Sequence, residues 1–181
     1  IQCCLVGSEM CIRDSIKVDQ NGKTNIDNIF AVGDVIGPPW LAHVSSTEGL
    51  YVVEHIAKLN PKQIDYDCVP ACTYSKPEIG SIGLSQKILD ERGIDYKVAK
   101  SFFNANGKAV ASSSTEGFIK ILVSNDNRIL GAHIIGSNAT EMISEFSLAM
   151  RNNLSVENIL DSIHPHPTFS EAIFETLMHL K

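Results

Sequence analysis

The sequence predicts an α/β protein of the α+β kind, in which the end of one domain precedes a second domain with a largely antiparallel sheet and flanking helices. Three observations predict it. The chain changes character near Tyr66, strand-like segments crowd between residues 68 and 135, and helix-period segments gather after residue 139. Strands followed by helices favour an α+β arrangement over a parallel βαβ one. The expected division is 16–66 for the first piece and 67–181 for the second, a compact domain of about 115 residues.

The elements follow in order. Ile16 to Asp19 alternates as a half-buried strand, and Asn21-Gly22 signals a tight turn. Asn28 to Val32 (NIFAV) has the short apolar run of a buried strand and ends in Gly33-Asp34. Gly37-Pro38-Pro39 makes a loop, after which a helix is expected from Ser45 to Lys58 with Gly49, Val53, Ile56 and Ala57 on one face. Asn60-Pro61 ends it. Cys68 to Tyr74 and Ile79 to Gly83 read as strands around Lys76-Pro77. Ser85 caps a helix that Gly93 closes, because glycine accepts the left-handed conformation after a last helical turn. Tyr96 to Phe103, Phe118 to Ser124 and Ile129 to Ile135 supply three further strands, with Asn125-Asp126-Asn127 turning between the last two. Helices are expected at Ala139 to Arg151, with Met142, Phe146, Ala149 and Met150 inward, at Ser155 to Ser162, and at Ser170 to His179.

Composition narrows the function. The 181 residues are 44% hydrophobic and 20% charged, with net charge −6 and no basic stripe to neutralise phosphates, which argues against nucleic acid as the main partner. No apolar run approaches the roughly 18 residues that span a bilayer. The five cysteines are odd in number and irregular in spacing, which fits a reducing compartment better than a disulfide framework. Three of them fall within Ile1 to Ser15 (IQCCLVGSEMCIRDS), a stretch with no clean period and no signal-peptide character. It reads as foreign sequence joined near Ser15, with an ordinary native terminus as the alternative. Cys68 and Cys72, four apart, would lie roughly 13 Å apart on a strand. A disulfide needs Cα atoms within about 7 Å. They lack partners for a zinc site as well, so the expectation is two partly buried thiols and no metal.

The segment His164-Pro165-His166-Pro167-Thr168-Phe169-Ser170-Glu171 carries the most chemistry. Two prolines stiffen the backbone beside two imidazoles, and a base that works near neutral pH has to be held in place. Glu171, in the first turn of the following helix, is placed to accept the second ring N–H of His166 and to balance its charge. A plainer reading stands beside this one. Thr168-x-x-Glu171 also fits a helix capping box, with both histidines as surface loop residues. Asp34 has a plain reading as a turn residue, His43 as a helix-entrance residue, and His133 as packing within a strand.

HPHPTFSE resembles the H-x-H-P-T-x-S-E signature of the pyridine nucleotide–disulfide oxidoreductase family, in particular its dihydrolipoamide dehydrogenase branch. NIFAVGDV (28–35), WLAH (40–43), YSKPEIGSIGL (74–84), TEGFIKIL (115–122) and LGAHIIG (130–136) agree with that family in order and spacing. The resemblance covers Lys17 to Lys181. It implies that residues 16–66 end an FAD-binding domain and that 67–181 form the dimerisation domain of a homodimer. It makes His166 the acid/base that takes a proton from a dihydrolipoyl thiol and Glu171 its partner, serving the flavin of the other subunit, with the His166-Pro167 bond cis. Asp34 would accept a hydrogen bond from the ribityl chain of FAD, and Leu41, Ala42 and His43 would line the flavin. The implied electron path runs from dihydrolipoyl groups of 2-oxoacid dehydrogenase or glycine-cleavage complexes through a redox disulfide and FAD to NAD+. The implied compartment is a bacterial cytoplasm or a mitochondrial matrix.

Two alternatives remain at this point. One is a glutathione-reductase-like enzyme, although such relatives usually lack the earlier histidine, here His164. The other is a non-catalytic dimerisation module. His166 itself sets the chain apart from relatives that carry tyrosine there, such as mercuric reductases. The 181 residues contain no G-x-G-x-x-G loop and no C-x-x-x-x-C pair, so the chain alone is expected to be inactive.

Overall fold

The computed structural model describes the backbone of Met10–Cys11 and all of residues 15–181. The expectation that residues 1–15 are foreign therefore falls almost wholly outside the described residues. The chain forms two compact units, Ile1–Ile64 and Asp65–Lys181.

In the first unit β1 (Met10–Cys11) pairs antiparallel with β2 (Ser15–Ile16). The turn at Asn21-Gly22 forms as expected, with Asp19 and Lys23 joined through Asp19 N–H to Lys23 O at 2.9 Å. The NIFAV segment is not a strand. It makes one isolated bridge, Lys23 to Phe30, because such a run needs a neighbouring strand and among the described residues only the turn lies beside it. A 3-10 turn over Gly33–Ile36 follows, then helix α1 (Ala42–Ile56). The helix starts three residues earlier than the sequence suggests. Its buried stripe is Val44, Glu48 and Val52, at i,i+4 spacing, whereas Val53 and Ile56 are exposed. Gly49, Val53, Ile56 and Ala57 share a face by their spacing, but the buried face of the helix is a different one. That stripe includes a buried glutamate, which apolar counting does not single out.

The second unit is a five-stranded antiparallel sheet in the order β3-β4-β7-β6-β5. The strands are β3 (Ala71–Thr73), β4 (Glu78–Gly83), β5 (Lys97–Phe102), β6 (Phe118–Val123) and β7 (Ile129–Gly136). Between them lie α2 (Gln86–Arg92), capped by the Ser85 side chain and closed by Gly93 in the left-handed region, and α3 (Gly107–Ala111), which periodicity did not reveal. Five residues are too few to show a period. The hairpin between β6 and β7 turns through Asn127, whose φ is positive, as the Asn-Asp-Asn run suggested.

Helices α4 (Ala139–Arg151), α5 (Val156–Leu160) and α6 (Glu171–Met178) complete the chain. α4 packs on β4 and β7, and α6 on β5 and β6. Ile119 and Ile121 alternate along β6 toward these helices and meet Met142, Ile143 and Phe146 of α4 and Ile173 and Leu177 of α6 in one core. Burying each such large side chain contributes roughly 1.5–3 kcal/mol, which is what fixes both helices on the sheet. α4 has no cap from its own Asn138. The Glu78 carboxylate on β4 takes that place, accepting from Thr140 N–H at 3.1 Å and from its hydroxyl at 2.8 Å.

Candidate active site

The loop 161–170 joins α5 to α6, and the sequence loads it with prolines, so helix cannot run through it. His166-Pro167 is a cis bond, as are Lys76-Pro77 and Pro38-Pro39. Within the loop the two imidazoles part company. His166 points out, with 76% of its side chain exposed, and its Nδ1 lies 2.8 Å from Glu171 Oε1. His164 points in, only 9% exposed, with Nε2 3.0 Å from Glu145 Oε1 on α4. The reading of both as surface residues is therefore corrected for His164. α4 passes close enough to supply a carboxylate, which no local pattern could announce.

The capping and pairing readings of Glu171 turn out to coexist. Its Oε2 accepts the Thr168 backbone N–H at 2.8 Å while Oε1 meets His166. The reciprocal half of a capping box does not form, because the Thr168 hydroxyl donates to Pro165 O at 2.7 Å. Hydrogen bonding from Thr168 N–H, and then from His166, holds the Glu171 carboxyl below the ordinary glutamate range. An ionised carboxylate can only accept, so the ring hydrogen sits on Nδ1 and Nε2 keeps the lone pair. An exposed imidazole with a free Nε2 and an oriented Nδ1–H is the arrangement of a general base.

Asn106 belongs to this site, and nothing in the sequence drew attention to it. It is 1% exposed, its Nδ2 donates to Thr168 O at 3.1 Å, and its Oδ1 caps α3 by accepting from Ala109 N–H at 3.0 Å. The signal available was an Asn three residues beyond a buried Phe, before a Gly, which is common at helix starts. Asn106→Leu is expected to lower the unfolding free energy by about 1–3 kcal/mol, since it leaves a carbonyl and an N–H unpaired. Urea unfolding of the chain reads this directly, and an unchanged midpoint would refute the assigned role.

The remaining site residues lie in the first unit. Asp34 is exposed on the 3-10 turn, Ala42 and His43 are exposed in the first turn of α1, and Leu41 just before it is half-buried. The turn is anchored to α1 by Glu48, whose Oε2 accepts Gly33 N–H at 2.6 Å. That buried carboxylate is a second positioning residue the sequence did not disclose. The Leu41 side chain makes no cap to the α1 N-terminus. His166 and Glu171 are thus brought together within the second unit, and Asp34 and residues 41–43 share the turn–helix corner of the first.

Other polar groups have plain roles. His133 Nε2 meets Leu84 O at 3.2 Å, and burial lowers its pKa. Cys68 and Cys72 are free thiols on two different elements, a 3-10 turn and β3, not on one strand. Burial, then the Asp65 carboxylate, pushes Cys68 up to about 11, and burial raises Cys72 as well. Neither is a ready thiolate. Among the described residues no three His, Cys, Asp or Glu side chains converge as a metal site, and no helix is long and apolar enough to cross a membrane.

Comparison with known proteins places this geometry in a family. The dimerisation-domain model of the pyridine nucleotide-disulphide oxidoreductases matches residues 69–177, and a second model of pyridine nucleotide-disulphide oxidoreductases matches residues 5–49. A mitochondrial dihydrolipoyl dehydrogenase of Caenorhabditis elegans is 44% identical over 90% of the chain and 33% of its own length. The dihydrolipoyl dehydrogenase of Bacillus subtilis is 42% identical over 94% of the chain and 36% of its own length. Among solved structures, the HOCl-induced flavoprotein disulfide reductase RclA of Escherichia coli superposes with a TM-score of 0.86 at 27% identity, over 97% of this chain and 41% of that one. The chain spans about a third of the length of the curated relatives it matches. With the ordered motifs, the antiparallel sheet and more than half of its residues inside the dimerisation-domain match, the chain belongs to the pyridine nucleotide-disulphide oxidoreductase family.

Proposed function

We propose that the chain is the C-terminal part of a dihydrolipoyl dehydrogenase, with residues 16–66 closing an FAD-binding domain and 67–181 forming the interface of a homodimer. The observation that carries this is the His166–Glu171 pair at 2.8 Å, with Nε2 free on an exposed ring. His166 Nε2 takes the proton of a dihydrolipoyl thiol, and the thiolate so formed is the nucleophile for the enzyme's redox disulfide. Glu171 keeps Nδ1 protonated and balances the charge on the ring while it holds two protons. In the dimer His166 serves the flavin of the partner subunit.

The turn–helix corner fits a flavin. Asp34 offers an exposed acceptor for a hydroxyl of the ribityl chain, while Leu41, Ala42 and His43 begin a helix whose N–H groups lack a Leu41 side-chain cap. FAD, when bound, supplies the electron path from the reduced disulfide to NAD+. The Leu50, Val53 and Ile56 side chains stand outward on α1, as suits a helix set inside a larger domain. Dihydrolipoyl arms of 2-oxoacid dehydrogenase or glycine-cleavage complexes are the substrates, in a mitochondrial matrix or a bacterial cytoplasm.

The test is NAD+ reduction by dihydrolipoamide, assayed on the full-length protein and on the 181-residue chain. The full-length protein is expected to turn over and the chain to be silent. Activity with NADPH and glutathione disulfide in place of dihydrolipoamide would overturn the substrate assignment.

A further inference from the structure

His166 sits between two anchors. Two residues after it, Thr168 is tied on three sides, by Glu171 Oε2, by Asn106 Nδ2 and, through its hydroxyl, by Pro165 O. Two residues before it, His164 ties the loop to α4 and α6. Asp161, Ser162, Ile163, Pro165, His166 and Pro167 are all exposed, Ile163 to 98%, so His164 is the inward side chain of this half of the loop.

The His164 ring is held from two helices. Nε2 meets Glu145 Oε1 of α4 at 3.0 Å, and the ring lies against Phe174 of α6, 6.2 Å between centroids. Its Nδ1 is buried without a hydrogen-bond partner. Leaving a buried polar atom unpaired costs free energy. An apolar ring would fill the same space without that cost, so packing alone does not account for a histidine here. The Nε2 bond to Glu145 does. Because a carboxylate accepts, His164 carries its hydrogen on Nε2, and Nδ1 is left as a lone pair, a milder loss than an unpaired N–H. The two imidazoles of the loop thus hold opposite tautomers, one tied inward and the other outward.

We propose that His164 and Glu145 form a positioning pair for the reaction, fastening the loop to α4 so that the His166 ring keeps the orientation in which Nδ1 reaches Glu171 and Nε2 faces the dithiol. This rests on the role assigned to His166 above. Neither residue touches substrate. Both act through the backbone of the loop, where small errors of placement are costly to proton transfer.

The test uses the full-length flavoprotein and four substitutions. Glu145→Ala and His164→Phe remove the bond, whereas Glu145→Gln and His164→Gln keep an acceptor and a donor near the original atoms. Glu145→Ala and His164→Phe are expected to lower kcat roughly ten-fold with KM little changed, and to displace the limb of the pH profile that reports His166. The two glutamine variants are expected to stay within about three-fold of the parent on the same argument. Unchanged kcat and pH profile in Glu145→Ala and His164→Phe would overturn the proposal, as would glutamine variants that fall equally far. If Glu145→Ala does not retain flavin, Glu145→Asp replaces it. Drawing the carboxylate back by one methylene should lower kcat, and an unchanged kcat overturns the proposal. His166→Ala runs alongside. Loss of activity there with none in the pair variants removes only this inference, while full activity in His166→Ala removes the underlying assignment.

Discussion

His166→Ala in the full-length protein is expected to reduce dihydrolipoamide oxidation by roughly 10²–10⁴-fold, the usual consequence of deleting a general base. The structure makes the loss chiefly one of kcat. His166 is an exposed ring whose hydrogen bond goes to Glu171, so its removal leaves no cavity in the core and no buried group unpaired except one carboxylate oxygen. Folding, flavin content and dimer state are expected to stay close to those of the parent. Stopped-flow reduction of the enzyme by dihydrolipoamide separates this step from hydride transfer to NAD+, and an undiminished reduction rate would remove His166 from the mechanism.

Glu171 adds a pH signature to the same experiment. Its carboxyl is held below the ordinary glutamate value of 4.5, by Thr168 N–H first and His166 second. A depressed folded-state pKa contributes stability that is present above the unfolded value and lost as pH falls through the folded one. The stability advantage of the parent over Glu171→Gln should therefore be full above pH 4.5 and fade as the pH drops below it. Thermal unfolding of both proteins across that range reads the sign. An advantage that grew on acidification would contradict the ionised carboxylate on which the Nδ1–H tautomer of His166 depends.

Gly117→Ala is expected to have the largest effect on stability, a loss of more than about 4 kcal/mol. Gly117 immediately precedes β6 at φ +112, a conformation that side-chain-bearing residues rarely adopt, and a methyl group there would fall 1.7 Å from Ile135 O on β7. Its other near neighbours are also backbone, Ile135 C at 2.7 Å and Gly136 Cα at 3.0 Å, so no flexible side chain can yield. The β6–β7 pairing would have to open at the register Phe118 to Ile135, beside the Phe103 backbone bond to Gly117 O. A typical domain has only about 5–15 kcal/mol in hand. Most of the second unit should therefore unfold near ambient temperature, seen as loss of cooperative thermal unfolding. A cooperative transition within a few degrees of the parent would refute the contact.

Much of the second unit was legible in the sequence because its signals are local. Ser85 and Gly93 bracket α2 through cap chemistry that needs no distant partner, and the period of Met142, Phe146 and Ala149 is that of a helix lying on a sheet. HPHPTFSE showed where an imidazole and a carboxylate lie five residues apart across a stiff turn. The sequence by itself therefore determined the α+β order of the second unit, the family and the His166–Glu171 pairing. Tertiary structure alone decided what distant segments bring to one place. Glu145 reaches His164 across nineteen residues, Asn106 reaches Thr168 across sixty-two, and Glu48 reaches Gly33 across fifteen. Each is a polar side chain whose partner is a single atom on another element, and such bonds leave no period or spacing in the chain. The same cause decides which face of α1 is buried. Apolar periodicity records which residues can be buried, whereas the partners available in the folded chain decide which face is buried, and there Glu48 found an N–H to bind.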